Sequence, residues 1–200
     1  MKVVGRIALG LLGLLVVVAV IGALLPRQWH VEARVTVHAP PDRIHPFLDD
    51  LRRWQEWAVW TKAMDPKVVN TYAGPDTGVG ARWAWSGPTM GKGRMEIVAS
   101  DPAKGLAVEE AIEADQVNAR ATFRYAVAGE DTTVTWVDEG TLPPIVGGYF
   151  RGMIEQLLTE NFTKGLARLK SVVEALPPPP PPAPPAMEDA GAALPDAGLP

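Results

Sequence analysis

The chain has 200 residues, a formal net charge of −4 and no cysteine. A chain without cysteine can form neither a disulfide framework nor a cysteine-ligated metal site, and the three histidines show no metal-ligand spacing. An acidic balance without a basic cluster disfavours a nucleic-acid partner. The sequence therefore predicts no metal, no cofactor and no nucleic acid.

An uncharged apolar run from Ile7 to Leu25 follows the basic N-terminus, residues 1–6. At ~1.5 Å per residue it spans ~28 Å as a helix, close to the ~30 Å of a bilayer core. A cleaved signal peptide has the same order, but its apolar core is usually ~7–15 residues long and small residues precede its cleavage site. Because Ala23-Leu24-Leu25 lacks that pattern, we expect a single-pass anchor in the cell membrane, with a cleaved signal as the alternative.

The charges that flank this run set an expectation for its orientation. Lys2 and Arg6 favour a cytoplasmic N-terminus and therefore a body outside the cytoplasm. Arg27, Arg34 and Arg43 lie on the other side of the run and weaken that bias.

The remaining chain divides into one domain, residues 28–176, and a Pro-rich tail, residues 177–200. The domain is large enough to bury about 70% of the surface that its unfolded chain exposes. The tail is poor in aromatic and β-branched residues, so we predict that it is disordered, with a stiff polyproline segment first. A docking site for a Pro-binding protein is the alternative.

Within the domain, apolar residues mostly recur with period two, which is typical of strands with one face covered. A short helix opens at Ala39-Pro-Pro-Asp42. The predicted strands are Val31–Val37, Lys67–Ala73, Gly80–Trp85, Gly93–Ser100, Leu106–Ile112, Val117–Val127 and Thr132–Thr141. After Pro143-Pro144 the period changes to three and four, which predicts a long amphipathic helix over Gly148–Ala175. This order predicts an α+β fold in which a curved antiparallel seven-stranded sheet surrounds the helix and leaves a cavity between them.

Several short motifs follow one another through this domain. They are Trp54-x-x-Trp57-x-x-Trp60, Tyr72-x-Gly74, Gly78-x-Gly80-x-x-Trp83-x-Trp85, Gly91-x-Gly93-x-Met95-x-Ile97, Thr135-Trp136 with Gly140, and Gly165-Leu166-x-x-Leu169-Lys170. In this order they resemble the polyketide cyclase/dehydrase group of the START-like (SRPBCC) superfamily. The resemblance implies a helix-grip fold with an internal hydrophobic cavity. It implies no mechanism, because that family has no shared catalytic residues.

Alternation along the strands selects candidate ligand-binding residues. Side chains on the apolar side of each strand would face the helix and line the cavity: Trp83, Trp85, Met95, Ile97, Phe123, Tyr125 and Trp136. The alternative is that they form a packed core without a ligand. Glu110 and Asp138 fall on the same apolar sides, where two carboxyls with raised pKa values could perform acid–base chemistry. The sequence favours the other outcome, in which strand twists or bulges turn these acids to water, so Glu110 and Asp138 are only weak candidates and no catalytic residue is assigned.

The sequence is compatible with three functions. The leading hypothesis is a membrane-anchored module that binds a lipid-like or other hydrophobic small molecule. A cyclase, dehydratase or hydrolase that uses Glu110 or Asp138 is the second, and the two differ in whether these carboxyls converge in one pocket. A scaffold that recruits an unknown protein partner through its Pro-rich tail is the third.

Overall fold

The computed structural model describes residues 2–113 and 116–177. Four helices and seven strands follow in the order α1 (Lys2–Leu24), β1 (Gln28–Val37), α2 (Pro41–Asp49), α3 (Trp54–Trp57), β2 (Val69–Ala73), β3 (Arg82–Gly87), β4 (Gly91–Asp101), β5 (Gly105–Ile112), β6 (Val117–Ala128), β7 (Asp131–Thr141) and α4 (Gly147–Glu174). The predicted order of elements is confirmed. The predicted tail falls on residues 178–200, outside the described residues, apart from Pro177.

The seven strands form one antiparallel sheet in the order β1-β7-β6-β5-β4-β3-β2. Strands β2 to β7 are neighbours in chain order, as hairpin connections require, and β1 joins the free edge of β7. The third strand begins at Arg82 rather than at Gly80, because Gly78 and Gly80 have positive φ angles of 77° and 89° and belong to the preceding turn. The curved sheet wraps around α4, which confirms the predicted helix-grip fold.

Helix α4 supplies the other half of the core. Its buried apolar side chains, Phe162, Leu166, Leu169 and Val173, lie at helical spacing against the inner face of the sheet. Phe162 stacks on Trp136 of β7 with ring centroids 3.8 Å apart. The two main elements are thus joined by aromatic packing in the second half of α4.

The short helices α2 and α3 cover the inner face beside α4. The indole N–H of Trp54 donates to the Leu48 carbonyl and that of Trp57 to the Phe47 carbonyl, both at 2.9 Å. Both indoles are fully buried and pack edge-on against Phe123 of the sheet. These hydrogen bonds satisfy the polar atoms of two large apolar side chains, so the indoles can serve as core residues.

A buried polar network fixes α2 to the sheet. The Ser100 hydroxyl donates to Asp49 Oδ1 at 2.5 Å, so its oxygen is left to accept the Nε2–H of His45 at 3.0 Å. His45 Nδ1 then accepts the Tyr125 hydroxyl proton, also at 3.0 Å. Burial lowers the pKa of His45 and favours this neutral tautomer.

Helix α1 is not part of the sheet, and it contacts the start of α4 and the segment before it. Its Val4–Leu24 segment is long and apolar enough to cross a membrane, a property that it shares with signal sequences near an N-terminus. The Tyr149 hydroxyl of α4 donates to the Val18 carbonyl of α1 at 2.7 Å. Gly22 allows the two segments to approach closely, because a Cβ atom there would lie 2.1 Å from the Ile145 carbonyl oxygen.

Candidate functional site

A cavity of about 280 Å³ lies between the inner face of the sheet and the first half of α4. Its walls are predominantly apolar and rich in tryptophan. The helical side consists of Trp54 of α3 and Ile154, Leu158 and Phe162 of α4. The cavity volume is at the lower end of the ~300–1,000 Å³ typical of pockets for drug-sized ligands.

The strand register explains where the cavity lies. Inner-face residues form rows across the sheet, and one row runs from Trp83 through Met95, Glu110 and Ala119 to Gly140. The neighbouring row, which contains Trp85, lies closer to the β5–β6 turn. Residues of these two rows form most of the cavity wall on the side of the sheet. The cavity is the space between these two rows and the side chains of α3 and α4 that face them.

The predicted ligand-binding residues fall into two groups. Trp83, Trp85, Met95 and Trp136 line the cavity. Ile97, Phe123 and Tyr125 do not line it, because other side chains cover them. Trp54 and Trp57 cover Phe123, and His45 contacts Tyr125.

The two candidate carboxyls come together on the cavity wall, although they lie on β5 and β7 with β6 between them. Glu110 pairs with Ala119 of β6, and Asp138 pairs with Ala121. Ala119, whose side chain is a single methyl group, also lines the cavity. Alternation along β5 and β7 thus places both acids on the cavity wall, without a bulge that turns either one to water.

Burial raises the pKa of both carboxyls. The pKa of Glu110 is raised to about 8, first by loss of solvation and second by the charge of Asp138. The pKa of Asp138 is raised to about 6 by the same loss of solvation, which a hydrogen bond from Trp29 partly offsets. The pair therefore retains a proton at a pH at which two free carboxyls are both ionised, and Glu110 holds that proton more strongly than Asp138.

Trp29 orients Asp138 and was not among the predicted site residues. Its indole N–H donates to Asp138 Oδ1 at 2.6 Å, and both side chains are buried. Gly140 makes room for the ring, since a Cβ atom there would lie 2.1 Å from the Trp29 indole. The available signal was the period-two pattern of the first strand, which extends back from Val31 to Trp29.

Trp136 carries a polar group that no protein atom satisfies. Its side chain lines the cavity and is 1% exposed, and its Nε1–H has no acceptor within the described part of the chain. An unsatisfied buried donor costs free energy, on the order of 1–3 kcal/mol.

The cavity offers no metal-binding set. Across residues 2–113 and 116–177, no group of three or more His, Asp or Glu side chains could hold a metal ion. Two carboxyls, one of them protonated and the other held by Trp29, are suited to hydrogen bonding with an organic group.

A model of the family described as polyketide cyclase/dehydrase and lipid transport matches residues 28–174. The chain belongs to this family. The match begins where β1 begins and ends where α4 ends, so it covers the sheet, the cavity and the long helix. No curated protein matches the chain.

Solved structures share the fold at low sequence identity. TTHA0849 from Thermus thermophilus is 23% identical, with a TM-score of 0.55 over 72% of this chain and 97% of its own. The Zhui aromatase/cyclase from Streptomyces sp. R1128 is 18% identical, with a TM-score of 0.55 over 74% and 94%. The di-domain aromatase/cyclase StfQ of the steffimycin biosynthetic pathway is 13% identical, with a TM-score of 0.58 over 74% and 51%. At these identities the likeness establishes the fold.

Proposed function

We propose that this protein binds a small hydrophobic molecule in the cavity between its sheet and α4. The observation that carries the proposal is the cavity itself, an apolar space with two carboxyl groups on its wall. The chain belongs to a family described as polyketide cyclase/dehydrase and lipid transport. A lipid is a largely apolar molecule, so this description supports a hydrophobic ligand.

The polar groups define the ligand further. Glu110 holds its proton more strongly than Asp138 does, so Glu110 can donate and Asp138 can accept a hydrogen bond. The volume suits a small ring system or part of one acyl chain better than a whole phospholipid. We therefore propose a ligand with an apolar body and one carbonyl or hydroxyl group directed at this polar cluster.

We further propose that α1 holds the protein in a membrane, with the domain outside the cytoplasm. The length and composition of Val4–Leu24 support an anchor, and the basic residues before the run support the orientation. A cleaved signal is the alternative, and N-terminal sequencing of the mature protein distinguishes the two.

The ligand proposal is tested by titrating the full chain in detergent with an alkyl ketone and a polarity-sensitive dye. Ala119→Phe places a ring in the cavity, and Ala126→Phe, at an exposed position of the same strand, is its control. We expect the wild type and Ala126→Phe to bind both probes and Ala119→Phe to lose binding. Equal binding by all three proteins would contradict the proposal.

The carboxyl pair favours one second function, acid–base catalysis of dehydration. Between about pH 6 and pH 8 a protonated Glu110 could donate to a leaving hydroxyl group while an ionised Asp138 accepts the neighbouring C–H proton, so that water leaves and a double bond forms. If this is the function, Glu110→Gln should abolish turnover of a β-hydroxy ketone while ketone binding persists. If the wild type binds the β-hydroxy ketone but does not convert it, dehydration of that substrate is excluded.

A further inference from the structure

The first three turns of α4 carry an exposed apolar stripe opposite their sheet-facing side. Val146, Tyr149, Phe150, Met153 and Leu157 recur at spacings of three and four and therefore share one face. Phe150, Met153 and Leu157 are 50%, 62% and 54% exposed. A contiguous apolar patch of this kind usually marks an interaction surface.

The stripe ends abruptly along the helix. Beyond Leu157, the next positions on the same face are Glu160 and Lys164, which are exposed and form an ion pair at 3.7 Å. The apolar part of this face is therefore confined to the turns nearest to α1.

Helix α1 indicates what covers the stripe. Tyr149, a member of the stripe, donates its hydroxyl proton to the Val18 carbonyl, inside the segment that is apolar enough to span a membrane. Ile145 lies directly against Gly22 of the same segment. The stripe is thus continuous with the apolar surface of α1, and a bilayer that surrounds α1 reaches the start of α4.

The stripe also adjoins the cavity. Ile154 and Leu158 lie beside the stripe on α4, line the cavity and are partly exposed. Whatever covers Phe150 and Leu157 therefore also lies beside the α4 wall of the cavity.

We propose that the first three turns of α4 insert their apolar stripe into the lipid surface beside α1, so that the cavity opens towards the bilayer and takes its ligand from the lipid phase. Amphipathic helices commonly lie in this interfacial position, and a tyrosine at the boundary is typical of it. The proposal rests on the anchoring role of α1, and its last step rests on the proposed ligand binding.

The test uses the full chain in phosphatidylcholine vesicles. Because the sequence has no cysteine, Met153→Cys and Leu157→Cys can each carry a single environment-sensitive fluorophore. Lys164→Cys, on the same face two turns farther, and Thr159→Cys, on another face, are the controls. We expect doxyl-labelled lipid to quench the labels at 153 and 157, and aqueous iodide to quench only the controls.

Two results would overturn the proposal. Iodide quenching at 153 and 157 equal to that of the controls would place the stripe in water. Oxidative cross-linking of Met153→Cys between chains, in place of doxyl quenching, would place a second copy of the protein on the stripe.

A double variant distinguishes uptake of the ligand from the lipid phase from binding of the ligand in the cavity. Met153→Glu combined with Leu157→Glu should slow the uptake of a fluorescent fatty acid from vesicles and leave its affinity in detergent unchanged. Unchanged uptake from vesicles would contradict loading from the lipid phase. A wild type that binds no probe in detergent would refute the proposed function, while the quenching result would still decide the position of α4.

Discussion

At the scale of single residues, the cavity is defined by two carboxyls in different surroundings. Asp138 receives a hydrogen bond from Trp29 and ionises at a lower pH than Glu110, which loses solvation beside the charge of Asp138. When two neighbouring carboxyls have different pKa values, one is protonated and the other is ionised at a pH between them. The pair then offers one hydrogen-bond donor and one acceptor. This difference gives an otherwise apolar cavity its chemical specificity.

Glu110 should make the folded protein less stable as the pH rises. Because its pKa is raised from 4.5 to about 8 on folding, the folded state binds more protons than the unfolded state between these values. The free energy of unfolding therefore falls as the pH increases through this window. Thermal unfolding of the ligand-free full chain between about pH 5 and pH 8 should show this decrease, and Glu110→Gln should reduce it.

Glu109→Gln is the matched control for this measurement. Glu109 is exposed on the other face of β5 and pairs with Arg120 at 3.2 Å, so its replacement should leave the pH dependence unchanged. His45 contributes with the opposite sign, because its lowered pKa favours folding as the pH rises towards its ordinary value of 6.5. That contribution is common to all the variants. Equal pH dependence in Glu110→Gln and the wild type would contradict the burial of Glu110.

Two tryptophans should respond differently to truncation. Trp57 is 0% exposed and donates to the Phe47 carbonyl, so Trp57→Ala should cost ~3–5 kcal/mol of stability. Trp85 is half-buried on the cavity wall, so Trp85→Ala should weaken ligand binding and leave a folded domain. Denaturant unfolding and probe titration measure the two effects. A Trp85→Ala protein that fails to fold would assign Trp85 to the core.

At the scale of elements, α4 has three roles along its length. Its second half packs against the sheet through Phe162, Leu166 and Leu169, while its first half forms one cavity wall. The start of the helix contacts α1. One helix therefore links the apolar N-terminal segment to the candidate site, with no separate domain between them.

The membrane proposal predicts a specific effect of charge in α1. Leu15→Arg places a cation near the middle of Val4–Leu24, which should cost ~2.5–3.5 kcal/mol of insertion free energy. Carbonate washing of membranes should retain the wild type and release a larger share of the variant. Recovery of full-length wild type in the washed supernatant would contradict the anchor.

At the scale of the whole molecule, periodicity was sufficient to predict the fold. Period-two alternation, clearest in β6, predicted the strands, and the change to helical spacing after Pro144 predicted α4. Most predicted ends of these elements lie within one or two residues of the observed ends. The extent of the cavity could not be predicted in the same way. Alternation assigns Trp85 and Tyr125 to the same face, but only the register and the position of α2 show that one lines the cavity and the other contacts His45.

The C-terminal segment provides a test of the proposed domain boundary. Within the described residues, Pro177 contacts the domain through one exposed hydrogen bond, from Arg43 to its carbonyl at 2.7 Å. A chain that ends at Leu176 should therefore melt within a few degrees of the full chain, as measured by thermal unfolding in detergent. A large loss of stability would show that the segment after Leu176 docks on the domain.

The central claim, that the cavity holds a small hydrophobic ligand, is tested most directly by native mass spectrometry of the full chain extracted in mild detergent. We expect an added small-molecule mass on the wild type and on Ala126→Phe, and its loss in Ala119→Phe, whose ring occupies the cavity. An equal added mass on Ala119→Phe would place the ligand elsewhere. A wild type that retains no added mass, even after incubation with excess alkyl ketone, would contradict the claim.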